Sequence, residues 1–220
     1  LELTPGGEYV DPFAEGYGQV GDHDKGFDTE MAQDVNVGEV NEECSMSQGV
    51  YEKLTAELPD LPKRYLGDRV SLLQLYNHGL EYSNLCMPFF HRPTLKLETL
   101  PPQLILTICS LGACTSGDEM IRETGKAIHT HVWRQTFLTA MDARQVDICT
   151  LQTMVLIEHI GFYALSRSAH EKADVFHAMV ITLARRSSLL AQNFESSNGS
   201  RLPVEKRWEE WAERETIIRD

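Results

Sequence analysis

The chain has 220 residues, of which 42% are hydrophobic, and its 33 acidic and 20 basic residues give a net charge of −13 at pH 7. This length allows one large domain, or one domain with a tail. So negative a charge argues against direct nucleic-acid binding, because contacts to phosphates require a basic face. No apolar run reaches the roughly 18 residues of a membrane span, and no signal peptide is visible, so we expect no membrane association.

The negative charge is concentrated at the beginning of the chain. Residues 1–50 contain 12 acidic residues and a single base, Lys25. Residues 1–65 are rich in Gly, Asp and Glu and lack a sustained apolar period, which predicts an acidic disordered linker or tail. Aromatic residues among the acids also occur in activation segments, but a solvated linker is the simpler interpretation. The prolines of "LPDLPKRY" mark a boundary, and we assign residues 66–220 to a helical domain.

Apolar residues recur at helical spacing after this boundary. In "DRVSLLQLYNHGLEY" the predicted buried side is formed by Val70, Leu73 and Asn77 and is broadened by Leu72, Leu75, Tyr76 and Leu80. Pro101–Pro102 predicts the start of the next helix, since proline at the first helical position gives up no hydrogen bond. That helix is apolar nearly all round, which is typical of a central, fully buried helix.

Three further helices have recognisable start signals. Ser116 and Glu119 fit an S-x-x-E capping box, and Ser168 and Glu171 fit a second one. Asp147 is the predicted N-cap of the helix between them. The helix after Ser168 has an apolar stripe at helical spacing, made of Phe176, Met179, Val180, Leu183, Ser187 and Leu190.

A last helix is predicted from Val204, with Trp208 and Trp211 on it. No segment shows the alternating pattern of a β-strand. The sequence therefore predicts an all-α fold of about six helices.

Candidate metal ligands are present, but none is arranged as a site. The five cysteines are Cys44, Cys86, Cys109, Cys114 and Cys149, with no C-x-x-C pair, which favours a reducing compartment and argues against a disulfide framework. His129 and His131 are two residues apart and would point in different directions on a helix. His170–Glu171 lacks the second histidine that a zinc hydrolase helix requires.

Catalytic motifs are equally incomplete. The sequence has no G-x-S-x-G, no phosphate-binding loop and no Asp-rich magnesium motif, and its one His–Asp dipeptide, His23–Asp24, lies in the acidic segment. In "PFFHRPT", Pro93 restricts the backbone of Arg92, so His91 lies in a loop that leads to the buried helix. We interpret His91 as a residue that caps or bridges this loop, with Phe89 and Phe90 packed beneath it. We therefore predict no catalytic, cofactor-binding or metal-binding residue.

The order of four segments resembles the fungal-specific transcription factor domain. The segments are "PFFHRPTLKLETLPPQLILTICSLGAC", "DICTLQTMVLIEHIGFY", "HAMVITLARRSSLL" and "WEEWAERETIIRD". In the last one, Trp208, Trp211, Glu215 and Arg219 match the family's W-x-x-W-x-x-x-E-x-x-x-R signature. The resemblance covers Val70 to Asp220, about two-thirds of the chain.

This resemblance implies a nuclear regulator of RNA polymerase II transcription whose helical domain does not itself read DNA. It implies that zinc belongs to a zinc-cluster or Cys2His2 DNA-binding module outside this chain, and that no cofactor is bound here. Expected partners are DNA through that module, coregulator proteins or a small-molecule effector, and a second copy in a homodimer. Because the chain begins at Leu1 and ends within a helical pattern, we expect a fragment whose domain is truncated at its C-terminal end.

Two other functions remain open at the level of the sequence. One is an all-α enzyme with a dispersed site that acts on a lipid or isoprenoid-like substrate. The other is a helical scaffold for protein interactions. A pocket in which several ionisable side chains converge would favour the enzyme.

Overall fold

Seven α-helices and one short 3₁₀ helix form the parts of the chain that the computed structural model describes, which are residues 46–58, 67–142, 146–187 and 203–219. The helices are α1 (Gln48–Glu57), α2 (Arg69–Cys86), the 3₁₀ helix (Leu97–Thr99), α3 (Pro102–Cys114), α4 (Glu119–Asp142), α5 (Ile148–Tyr163), α6 (Arg167–Arg186) and α7 (Val204–Arg219). No strand occurs in these ranges, which confirms the all-α prediction. None of the helices in these ranges is both long and apolar enough to cross a bilayer.

The helix α3 is the centre of the fold, as its apolar sequence predicts. It begins directly after Pro101, every residue from Leu104 to Cys114 is buried, and it contacts α1, α2, α4 and α5. Its two buried hydroxyls are satisfied within the protein, because Thr107 donates to the carbonyl of Gln103 at 2.7 Å and Ser110 donates to that of Gly125 at 2.8 Å. Burial of these side chains removes apolar surface from water on all sides of the helix, which is the main stabilising contribution available to a small helical domain.

The helices α2 and α3 cross at two glycines. A Cβ placed on Gly79 would lie 2.0 Å from the carbonyl oxygen of Ile108, and a Cβ on Gly112 would lie 2.1 Å from the carbonyl oxygen of Leu75. Neither distance is compatible with van der Waals contact. The two helix backbones therefore touch directly, and only residues without a side chain fit at this crossing.

This crossing sets which side of α2 is buried. The buried residues are Leu72, Tyr76, Gly79 and Ser83, whereas Val70 is 57% exposed. The prediction that Val70 belongs to the buried side was therefore wrong. The prediction was based on large apolar side chains alone. Because α2 contacts α3 through Gly79, Val70 faces solvent.

The helix starts partly differ from the predicted capping motifs. Asp147 caps α5 as predicted, since its carboxylate accepts from the Thr150 N–H at 2.6 Å. At α4, however, Asp118 accepts from the N–H groups of Met120 and Ile121, at 2.8 and 3.2 Å. The prediction of Ser116 as the cap was wrong, because the carboxylate that directly precedes the helix reaches its free N–H groups.

The second capping box was predicted two residues too far along the chain. Ser166 is the N-cap of α6, and its hydroxyl accepts from the Ala169 N–H at 3.4 Å. Ser168 lies inside the helix, so its pattern with Glu171 does not mark the helix start. The apolar stripe of α6 is confirmed for Phe176, Val180 and Leu183, which are buried.

The end of the predicted acidic segment is a helix that packs onto the core. Met46, Val50, Leu54 and Leu58 are buried at intervals of four residues, and α1 contacts α3. Ser47 caps α1 and also donates from its backbone and hydroxyl to the Glu98 carboxylate, at 3.3 and 3.0 Å. The prediction of disorder was therefore wrong for residues 46–58. The other residues of the predicted segment 1–65 lie outside the described ranges, and the boundary at residue 66 stays a prediction.

Candidate functional site

The loop of "PFFHRPT" connects several helices of the fold. The His91 Nδ1 lies 3.0 Å from the Thr94 hydroxyl, and the His91 ring packs edge-on against Trp208 of α7, with 5.5 Å between the ring centroids. Phe89 and Phe90 are buried beneath it with their rings 4.7 Å apart. These contacts confirm that His91 bridges the loop to a neighbouring helix.

The same loop is tied to α2 and α5 by polar contacts. The Gln152 amide of α5 donates to the Phe89 carbonyl at 3.2 Å. The Arg92 guanidinium faces the side-chain oxygen of Asn84 in α2, once that amide is oriented to satisfy its hydrogen bonds. The polar groups of the loop are thus occupied by neighbours in the fold.

The cysteines of α3 are in surroundings that disfavour a nucleophile. Burial raises the pKa of the Cys109 thiol well above its usual value, and raises that of Cys114 to about 11. The Cys109 Sγ donates to the Leu72 carbonyl at 3.7 Å. A nucleophilic cysteine needs the opposite shift, because the thiolate is the reactive form. Both thiols are packed as small apolar side chains.

Two of the predicted histidine candidates, His129 and His170, are held by structural contacts, whereas the Nε2 of His131 is buried without a hydrogen-bond partner among the described residues. His129 is buried, and its Nε2 lies 3.1 Å from the Ile157 carbonyl oxygen. The His170 ring packs edge-on against Phe162 at 4.8 Å between centroids. Among the described residues no group of three or more His, Cys, Asp or Glu side chains is placed to hold a metal ion. His23 and Asp24 lie outside the described residues.

A cleft lies between α4, α5 and α6, and sequence reasoning missed it. Its volume is about 680 Å³. Trp133 of α4, Ile157 of α5 and Phe176 of α6 contribute apolar surface. Trp133 stacks on Phe137 with centroids 5.4 Å apart and packs against Phe176 at 6.4 Å. The cleft therefore has an aromatic wall made by Trp133 and Phe176.

Charged side chains border the cleft with an excess of cations. They are Glu119, Arg122, Lys126, Arg134, Glu158 and Lys172. Arg122 pairs with Glu119, and Lys126 pairs with Glu123 at 2.6 Å. Glu158 lies 2.7 Å from His177. Arg134 and Lys172 have no carboxylate partner within the described ranges, so two cations at the cleft are available to a ligand.

The buried His129 makes the fold sensitive to acid. Burial lowers its pKa below the ordinary value of 6.5, so the folded state favours the neutral ring. The unfolded chain then binds the proton more readily. The stability that His129 contributes is present above the unfolded value of 6.5 and is lost as the pH falls from there through the folded pKa.

We therefore expect the free energy of unfolding, measured by urea denaturation, to fall as the pH is lowered below 6.5. The variant His129→Leu should show a shallower pH dependence. Burial also lowers the pKa of His159, which accounts for part of the remaining slope. The exposed His78 provides the control His78→Gln. A His129→Leu chain with the same pH slope as the parent would contradict this assignment.

The model of the fungal specific transcription factor domain matches residues 79–219. The chain is 26% identical over 136 residues to zinc finger protein zas1 of Schizosaccharomyces pombe, which covers 60% of the chain and 15% of that protein. It is 30% identical over 145 residues to the nicotinate catabolism cluster-specific transcription factor of Emericella nidulans, which covers 63% and 16%.

A third relative is zinc finger protein klf1 of Schizosaccharomyces pombe, with 22% identity over 138 residues, 60% of the chain and 17% of the relative. The chain thus spans less than a fifth of the length of each of these relatives. No solved structure shows a significant match.

Proposed function

Because this chain belongs to the fungal specific transcription factor domain family, we propose that it forms the regulatory domain of a fungal zinc-finger transcription factor. The observation that carries the proposal is the family match, which extends from Gly79 in α2 to Arg219 in α7 and includes the bridging loop and the central helix. The names of three relatives, two zinc finger proteins and one transcription factor, support it.

The domain regulates RNA polymerase II transcription in the nucleus without reading DNA itself. The net charge of −13 supports this division of labour, since a DNA-reading surface must neutralise phosphates. DNA is contacted by a zinc module in another part of the protein, and zinc is bound there. The helical domain acts on activity through intramolecular contacts, a coregulator, a small-molecule effector or a second copy.

We propose no enzymatic activity, although several ionisable groups border the cleft. A lipid or isoprenoid enzyme needs a free base, acid or metal-binding group at its reacting centre. Here Glu119 is paired with Arg122, Glu158 with His177, and the buried His129 with the Ile157 carbonyl. The cations Arg134 and Lys172 have no carboxylate partner among the described residues, and such cations suit the binding of an anion.

The proposal is tested by tethering. The 220-residue chain is fused to a heterologous DNA-binding module upstream of a reporter gene in a fungal cell. We expect transcription to change at least several-fold relative to the module alone, because a regulatory domain acts when it is brought to a promoter. The variant Gly112→Ala, which disturbs the crossing of α2 and α3, should lose the effect, and Gly49→Ala should keep it.

A second outcome would favour the scaffold interpretation. The chain would then capture partner proteins in a pull-down while the reporter stays at the level of the module alone. That result would overturn the regulatory proposal. Sequencing of the region that encodes the N-terminal side should also reveal a six-cysteine cluster or Cys2His2 fingers, and their absence would argue against it.

A further inference from the structure

We propose that the cleft between α4, α5 and α6 binds an organic anion that joins a carboxylate to an apolar body of about the size of a two-ring aromatic. The inference rests on the proposed regulatory function and deepens it, because it names the chemical class of an effector. It is carried by the shape of the cleft, its aromatic wall and its two unpaired cations, which are three separate observations.

The size and lining of the cleft suit a small molecule. A volume of about 680 Å³ falls in the range of roughly 300 to 1,000 Å³ that is typical of ligand pockets. Trp133 lines the cleft and packs against Phe137 and Phe176, which restricts the movement of its ring. A preformed wall of this kind reduces the entropy lost on binding. It favours a ligand with a flat apolar body.

The charge of the cleft selects the sign of the ligand. Four cations and two carboxylates border it, whereas the whole chain carries −13. Positive charge is thus gathered at one concave surface of an acidic protein, where low-dielectric walls focus the field. Both carboxylates already have partners, while Arg134 and Lys172 do not within the described residues. An anionic ligand supplies the missing partner for both.

The two cations come from different helices, and both line the cleft. Arg134 lies in α4 next to Trp133, and Lys172 lies in α6 next to Ala173, which also lines the cleft. A guanidinium can hold a carboxylate with two parallel hydrogen bonds, and the lysine adds a point charge. Trp133, which also lines the cleft, offers apolar surface to the body of the ligand. An uncharged lipid would leave both cations without a partner.

The test uses the whole 220-residue chain and two probes of nearly equal shape. They are 1-naphthoate, which is anionic at pH 7.5, and its neutral amide, 1-naphthamide. Binding is measured by isothermal titration calorimetry at low ionic strength, and by the indole signals of the chain's tryptophans in NMR spectra. We expect naphthoate to bind at least tenfold more tightly than naphthamide, a difference of about 1.4 kcal/mol.

The variant is the pair Arg134→Gln and Lys172→Gln, and its matched control is the pair Lys53→Gln and Lys206→Gln. All four side chains are exposed, and the two control lysines do not line the cleft. Both variants lose the same charge, so a general electrostatic effect would appear in both. We expect the cleft variant alone to lose the preference for naphthoate, and circular dichroism spectra of both variants to match the parent.

The outcomes separate this inference from the proposed function. Equal affinity for the two probes, no measurable binding of naphthoate, or equal effects of the two variant pairs would each overturn the cleft assignment. None of these results alters the tethered reporter assay, which tests regulation without a ligand. Conversely, selective binding of naphthoate by a chain that leaves the reporter unchanged would support the cleft and overturn the regulatory function.

Discussion

Replacing either Gly79 or Gly112 with alanine is expected to lower the free energy of unfolding by about 3 kcal/mol, the upper part of the usual range for overpacking. The added methyl group would lie 2.0 Å from the Ile108 carbonyl oxygen in the first variant and 2.1 Å from that of Leu75 in the second. Both obstacles are helix backbone atoms, which cannot turn away as a flexible side chain can. The helices must move apart, and the packing around the crossing is lost with them.

Chemical denaturation of the purified variants measures this loss. The control is Gly49→Ala in α1, where an added Cβ would have no neighbour within 4 Å. That substitution should be neutral or stabilising by up to about 1 kcal/mol, because alanine favours the helix. If Gly79→Ala unfolds at the same denaturant concentration as Gly49→Ala, the direct backbone contact between α2 and α3 does not exist in solution.

Truncation of Leu54 to alanine is expected to lower the free energy of unfolding by about 2 to 5 kcal/mol, the range for leucines removed from a core. Leu54 is 0% exposed and lies in α1, which packs against the central helix α3. The substitution leaves a void between the two helices. The variant therefore tests whether residues 46–58 are an integral part of the fold.

The matched control is Leu85→Ala, since Leu85 is 84% exposed and loses little burial. It should change stability by less than about 0.5 kcal/mol, as is usual for exposed positions. Equal stability of the two variants would show that α1 is detached in solution. In that case residues 46–58 would belong to the acidic segment, as the composition suggested.

The fold class and the central helix could be predicted because their signals are local. The run from Leu104 to Cys114 is apolar on all sides, and Pro101 fixes where the helix begins. The missed helix α1 also has a local signal, the four-residue spacing from Met46 to Leu58. This signal was missed because residues 1–65 were judged by their average composition. The many acidic residues before α1 dominate that average, whereas the spacing of apolar residues is visible only within the helix itself.

The buried side of α2 could not be predicted from its large residues. Its contact with α3 depends on Gly79 meeting Gly112, and a pattern of apolar side chains gives glycine no weight. The partner glycine is 33 residues away on another helix, so neither one indicates the contact alone. The capping residue of α4 was predicted wrongly for a related reason. Ser116 and Asp118 are both polar and close to the same free N–H groups, and only the three-dimensional geometry decides which of them is the cap.

The loop at His91 could be interpreted from sequence, whereas the cleft could not. Pro93 and the neighbouring phenylalanines lie within a few residues of His91. The cleft is assembled from α4, α5 and α6, and the two cations that lack a carboxylate partner among the described residues are 38 positions apart. Arg134 and Lys172 look like ordinary surface residues until the helices are placed. Such a site depends on tertiary packing, which the spacing of charges along one helix does not reveal.

The tryptophan signature of α7 is only partly covered by the fold. The edge of the Trp208 ring packs on His91, and Glu209 forms an exposed ion pair with Lys96 at 3.7 Å. Trp208 and Trp211 remain 52% and 42% exposed, although Ala212 is buried. Exposed ion pairs contribute little to stability, so the pair of Lys96 and Glu209 adds little to the attachment of α7. The two tryptophans of the signature are therefore used by the fold only in part, and each keeps apolar surface in contact with water.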